Sequence, residues 1–241
     1  MKRLFSTIFI FTIIAIKIYA VRPFITDDAA VVGRGLIQLE TWTLFQKNSG
    51  EHWIMWAYGP SDKLEVAIGA IYGYNHQNFT FAVPLLEAKY LFHEYQSGKL
   101  PGIALATGTF LPAGKGAFVP SGYGAYGFLA LTQCFGQDEN VLIHGNLGVN
   151  YLRNNNENRF IGFWGLGTQI RTYKGWHLVG EIMSGDPYVP GTGLTYQTGV
   201  RYFVNDNIQL DATVGQGIAG EQKVPFWWGV GARFVFEKKQ K

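Results

Sequence analysis

"VLIHGNLGVNYL", Val141 to Leu152, is the stretch whose reading decides the fold. Taken two residues at a time, one face carries Val141, Ile143, Gly145, Leu147, Val149 and Tyr151. The other carries Leu142, His144, Asn146, Gly148, Asn150 and Leu152. The first face has neither charge nor amide, while the second has three polar groups in six. Successive side chains of a strand point to opposite faces, so this period predicts a strand with one apolar and one mixed side.

The pattern recurs. In "IQLDATVG", Ile208, Leu210, Ala212 and Val214 oppose Gln209, Asp211, Thr213 and Gly215. In "LTYQTGVRYFV" the polar side holds Thr195, Gln197, Gly199 and Arg201. Turn signals divide the chain into about twelve such segments, and no segment shows a helical period. Strands are expected near 35–46, 51–58, 64–74, 79–92, 102–110, 122–134, 141–152, 160–172, 176–184, 194–204, 208–216 and 226–236. Most are close to the roughly 9–11 residues that a tilted strand needs to cross a bilayer.

Composition points the same way. Charged residues are 15% of the chain, against roughly 25% in ordinary globular domains. Aromatics reach 16%, and there are 31 glycines. The apolar faces end in aromatics such as Trp164, Trp176, Tyr196, Tyr202, Phe226, Trp228 and Phe236, which suits interfacial girdles. With a periplasmic N-terminus, the longest expected loops ("PAGKGAFVPSGYG", "SGDPYVPGTG" and "GIAGEQKVP") all fall at the outer end. The expected fold is all-β: an antiparallel transmembrane barrel of about twelve strands over residues 35–236. A soluble sandwich would place a solvated face where these strands carry mixed charge.

The start, "MKRLFSTIFIFTIIAIKIYA", has a basic n-region at Lys2 and Arg3, a short apolar stretch and a small residue at Ala20, the pattern of a signal peptide over residues 1–20. Removing it leaves 221 of 241 residues with 17 basic against 17 acidic side chains. The pI of 8.8 thus belongs to the leader and is no argument for nucleic acid. Past the leader no run of about 18 apolar residues occurs, which excludes helical spans. The expected location is the bacterial outer membrane. The expected partners are outer-membrane lipid, small-molecule solutes and the barrel-assembly machinery.

Register can be read at two tight turns. A three-residue turn at Asn205 to Asn207 would pair Val204 with Ile208 and place Arg201 opposite Asp211. Across "YKG", Thr172 would pair with Trp176, setting Arg171 opposite His177, with Glu181 further along. Glu40, Glu65, Glu87, Lys89, His144 and Arg233 share the inward phase, and all eleven of these side chains are candidate lumen-lining groups. Interior charges have two readings: ion pairs that fill a closed structural barrel, or the walls of a polar passage. Twelve strands lie between the filled eight-stranded barrel and the open porin, so a narrow or plugged lumen is expected.

Enzyme chemistry finds little support. "GYGAYG", Gly122 to Gly127, matches a dinucleotide fingerprint but opens a strand. "LPAGKG" lacks the Ser or Thr and the helix of a phosphate loop. The single Cys134 excludes an internal disulfide and a cysteine-based metal site, and the five histidines have no paired ligand spacing. His144 with Asp211 lacks a nucleophile. No catalytic residue, metal or cofactor is expected. A barrel enzyme acting on lipid or envelope substrates is the rival reading.

"RPFITDDAAVVGRGLIQLET", Arg22 to Thr41, resembles the start of the bacterial MetA-pathway of phenol degradation family. Arg22, Pro23, Thr26, Asp27, Asp28, Gly33, Gly35, Gln38, Leu39 and Glu40 carry the likeness. The resemblance implies an outer-membrane barrel for passive movement of small, aromatic or hydrophobic compounds. Here Phe236 is followed by "EKKQK", so a polar tail (residues 237–241) replaces the usual terminal aromatic. Residues 21–34 lack strand alternation and are expected at the periplasmic mouth. There Arg22, Asp27 and Asp28 either pair with lumen charges as a plug or latch, or form a local turn capped by Asp28.

Overall fold

The computed structural model describes residues 24–76, 78–136, 140–154, 157–221 and 223–237. The expected leader and the motif residues Arg22 and Pro23 lie outside the described residues.

Twelve long strands form the wall. They are β1 (Leu36–Phe45), β2 (Ser49–Ser61), β3 (Leu64–Asn75), β4 (Asn78–His93), β5 (Gly102–Phe110), β7 (Tyr123–Phe135), β8 (Val141–Asn154), β9 (Glu157–Tyr173), β10 (Trp176–Ser184), β11 (Leu194–Asn205), β12 (Ile208–Ala219) and β13 (Trp227–Glu237). The thirteenth strand, β6 (Gly114–Lys115), is a two-residue piece of a loop paired to β4, which the period of two could not reveal in so short a segment. Each long strand pairs antiparallel with its sequence neighbour along the wall, and β1 pairs with β13 from Leu36↔Glu237 to Phe45↔Trp228. The sheet therefore closes and has no free edge. Among the described residues no helix is long and apolar enough to cross a membrane.

Alternation sets the two surfaces. Along β8 the outward Ile143, Leu147 and Val149 are exposed while Leu142, His144 and Asn150 are buried inside. Aromatic side chains gather on the outward face near strand ends, with Trp176 against Tyr202 at 4.7 Å and Phe45 against Trp228 at 4.4 Å. An apolar outer belt with aromatic borders and a polar interior is the surface of a transmembrane barrel.

Both tight turns differ in detail from the expected ones. Asn205 pairs with Ile208 across a two-residue turn, and a bulge between Phe203 and Asn205 absorbs the extra residue. Arg201↔Asp211 results nonetheless. Likewise Tyr173 pairs with Trp176, and a shift at His177 restores Arg171↔His177. Two-residue turns match strand twist better than longer ones, and the bulge keeps the side chains in phase. Loop lengths also depart from expectation. The connection at residues 94–101, at the end where β1 begins, is longer than that at 220–226 on the opposite side, because β12 runs on to Ala219, into the expected loop.

A plugged lumen with a chamber at each side

Residues 24–33 run through the barrel interior and adopt neither helix nor strand. Backbone amides in such a segment need partners, and the wall supplies them. The amides of Ile25 and Thr26 donate to the two Glu181 carboxylate oxygens at 2.9 and 2.7 Å. Asn146 Oδ1 accepts from the Asp27 amide at 2.7 Å, and Asn146 Nδ2 donates back to the Asp27 carbonyl at 2.8 Å. Thr132 Oγ1 accepts from the Ala29 amide at 2.9 Å, and Glu65 Oε2 accepts from the Val32 amide at 2.8 Å. β10, β8, β7 and β3 thus grip one segment from opposite sides of the barrel.

Charge completes the grip. Lys89 Nζ lies 2.8 Å from Asp27 Oδ2 and 3.5 Å from Asp28 Oδ1. Asp28 also caps the Ala30 amide at 2.8 Å through Oδ1, so the local turn and the ion pair, set as alternatives in the sequence, coexist. Glycines make the room. A Cβ at Gly165 would strike Thr26 Oγ1, one at Gly59 would strike the Gly33 carbonyl, and one at Gly102 would reach Ala29 Cβ at 3.2 Å.

The expected lumen groups fall as follows. Glu40, Glu87, Lys89, His144, His177, Glu181, Arg201, Asp211 and Arg233 are buried inside the barrel. Glu65 is partly buried and holds the segment. Arg171 departs from the expectation: it is exposed, bordering with His177 a recess of about 200 Å3, because its strand there has reached the barrel's end. Arg201, fully buried, donates from Nε to Asp211 Oδ1 at 2.7 Å and from Nη1 to Gln169 Oε1 at 2.6 Å, and its guanidinium lies 5.5 Å from the Phe24 ring. Gln209 Nε2 donates to Asp211 at 2.8 Å, and Gln38 Nε2 to Glu40 at 2.5 Å. His144 Nδ1 meets Thr132 Oγ1 at 3.0 Å, so His144 and Asp211 have separate partners and form no catalytic dyad.

Other residues came to notice only in three dimensions. The loop at residues 185–193 folds into the barrel: Asn150 Nδ2 donates to the Asp186 carbonyl at 3.0 Å, and Tyr188 Oη to Glu87 Oε2 at 3.2 Å beside Tyr126 Oη at 2.5 Å. The loop at 111–122 also turns in, with the Phe118 amide donating to Thr80 Oγ1 at 3.0 Å. No periodic signal marks an inward loop. The polar phase of β8 and β4 contained Asn146, Asn150 and Glu87, but nothing local revealed what they hold.

Cavities lie on either side of this packing among the described residues. An outer vestibule of about 630 Å3 is bordered by Phe118, Tyr123, Arg153 and Arg159. A chamber of about 360 Å3 lies between Trp42, Trp53, Trp227 and Tyr188, and Ile25 of the segment forms part of its lining. A third cavity of about 310 Å3 lies against residues 27–33 and is lined by Glu40, Glu87, Lys89 and Arg233.

A family model described as "Uncharacterised conserved protein UCP029691" matches residues 17–236. No curated protein matches the chain. Among solved structures, the COG4313 outer membrane channel from Pseudomonas putida F1 aligns at TM-score 0.69 and 10% identity, over 90% of this chain and 100% of that one. The NanC porin aligns at 0.56 and 7% identity, over 84% and 99%, and the KdgM porin at 0.56 and 11%, over 83% and 99%. At such identities the likeness is one of fold, that of bacterial outer-membrane barrels.

Proposed function

Because the chain belongs to the UCP029691 family and folds as a closed twelve-stranded barrel, we propose that it sits in a bacterial outer membrane and lets small solutes pass down their gradient. The observation that carries this reading is a lumen with cavities on both sides of residues 24–33, a segment held to the opposite wall only by hydrogen bonds and ion pairs. A barrel built only for strength gains nothing from such space, since empty volume costs dispersion contacts.

The solutes are small aromatic or hydrophobic compounds. Trp42, Leu44, Trp53, Met183, Tyr188 and Trp227 around the middle chamber support this, because apolar walls with a few polar groups suit such ligands. The likeness of Arg22 to Thr41 to the phenol-degradation family agrees with it. Residues 24–33 act as a plug latched by Lys89 on Asp27 and Asp28.

Flux through the refolded chain in liposomes tests the proposal, with a small phenolic compared with a sugar of similar size. Phenolic flux above that of protein-free vesicles, with little sugar flux, is expected. Flux of neither would leave a closed structural barrel or an envelope enzyme.

A further inference from the structure

We infer that the middle chamber binds a small organic cation, an aromatic amine or quaternary ammonium compound, against its tryptophan walls and beside the Glu51 carboxylate. This rests on the passage proposed above and narrows the solute to one charge class.

The walls are the first ground. Trp42 and Trp53 are partners across β1 and β2, and their rings stack at 5.5 Å and 6°. Trp227 of β13 adds a third indole, and the three are 5, 8 and 5% exposed. Tyr188 closes the chamber from its inward loop. Close packing at β13 requires glycine: a Cβ at Gly231 would meet Trp42 Cβ at 3.2 Å, and one at Gly229 would strike Leu44. Ring faces carry the negative part of the aromatic quadrupole, so a small volume lined by three indoles favours a cation, the more so out of water.

The placement of acidic side chains is the second ground. Glu51 borders both the vestibule and this chamber. The Trp53 side chain donates a hydrogen bond to it, which holds the carboxylate beside the ring wall. Asp186 also lines the chamber, with Oδ1 taken by the amides of Tyr188 at 2.6 Å and Val189 at 3.3 Å. Among the described residues Lys223 is the one cation in this lining, and it is exposed. An anion would thus face two carboxylates, and a neutral ring would gain apolar contact alone.

The way onward is acidic too. The cavity beyond the segment is lined by seven acidic side chains and two basic ones, Lys89 and Arg233, with Lys89 paired to Asp27 and Asp28. Rings of acidic side chains favour cations and repel anions in narrow pores. Arg153 and Arg159 stand with Glu157 at the outer vestibule, all three exposed, where water and salt weaken their reach.

The test uses the purified full chain in a neutral detergent, reading tryptophan fluorescence and binding heat with three probes: benzyltrimethylammonium, benzyl alcohol and benzoate. Saturable quenching by the ammonium, about tenfold tighter than the alcohol and with no benzoate binding, is expected. Glu51→Gln should weaken the ammonium about tenfold and leave the alcohol unchanged. Trp227→Leu leaves an apolar residue in the wall but removes the indole face, and should weaken the ammonium more than the alcohol. Equal affinity for ammonium and alcohol, or preference for benzoate, overturns the inference, as does unchanged ammonium binding in both variants. Phenol flux in liposomes separates the two readings: flux without ammonium preference leaves passage standing and removes this site, whereas ammonium binding without any flux keeps the site and removes passage.

Discussion

Lys89 on β4 faces two successive carboxylates, Asp27 at 2.8 Å and Asp28 at 3.5 Å, and all three side chains are sheltered from solvent. One ammonium therefore serves two acids on a segment that has no covalent tie to that wall. Its neighbours Glu65 and Glu87 add further negative charge around the same cation.

Replacing both acids together, Asp27→Asn with Asp28→Asn, should loosen the segment. Breaking a buried pair by removing one side costs about 3–5 kcal/mol, and Glu65 near Lys89 places this loss toward the lower end of that range. Single-channel conductance should rise and thermal unfolding in detergent should fall. Wild-type conductance and unfolding temperature together would remove the latch.

Gly165→Ala tests the same segment by shape alone. The added Cβ would meet the Thr26 hydroxyl, so the segment must shift while the lipid-facing surface stays the same. Conductance should rise with the barrel still folded. Thr26→Gly in the same chain removes the clash and should bring conductance back toward that of Thr26→Gly alone.

Arg201 and Asp211 are both fully enclosed, which makes their pair costly to halve. Arg201→Met should destabilise by about 3–5 kcal/mol, and adding Asp211→Leu should recover most of that loss. A cycle of the two single variants and the double variant, read by urea unfolding in lipid vesicles, gives the coupling.

Leu147 lies midway along β8 and is 68% exposed on the outward face. Leu147→Arg should cost about 2–4 kcal/mol in a bilayer, the figure for a charge near the midplane of a barrel's lipid face. The same change at Arg171's rim-side neighbour Thr172, which is exposed, should be far milder. Equal, small effects at both sites would argue against a membrane-facing Leu147.

How much could be read from the chain alone follows from the range of each signal. Alternation is local, so the strands and the inward phase of Glu40, Glu181, Arg201 and Asp211 were legible. The Arg201–Asp211 pairing was also reached, although through a three-residue turn where the structure has two residues and a bulge. What stayed hidden were contacts between parts far apart in sequence. Asn146 holds Asp27 across 119 residues, and Tyr188 meets Glu87 across 101. No composition or period marks a loop that folds inward rather than outward. The glycine at Gly165 looked like any other in a chain of 31, because its reason lies in Thr26 and not in its own strand.

The seam between β1 and β13 joins the first strand to the last, while the residues just ahead of β1 lie within the wall. This has a bearing on the order of assembly. A cylinder sealed beforehand would have to be threaded, with the amides of Ile25, Thr26, Asp27, Ala29 and Val32 finding their acceptors in a confined space. Closing the seam last avoids that difficulty: the hairpins wrap around the leading segment, and Glu181, Asn146 and Thr132 settle onto it as the curvature forms. On that order the segment would act as a mandrel, and a chain deprived of it should seal more slowly even where the finished wall is equally sound, which refolding kinetics into vesicles would read.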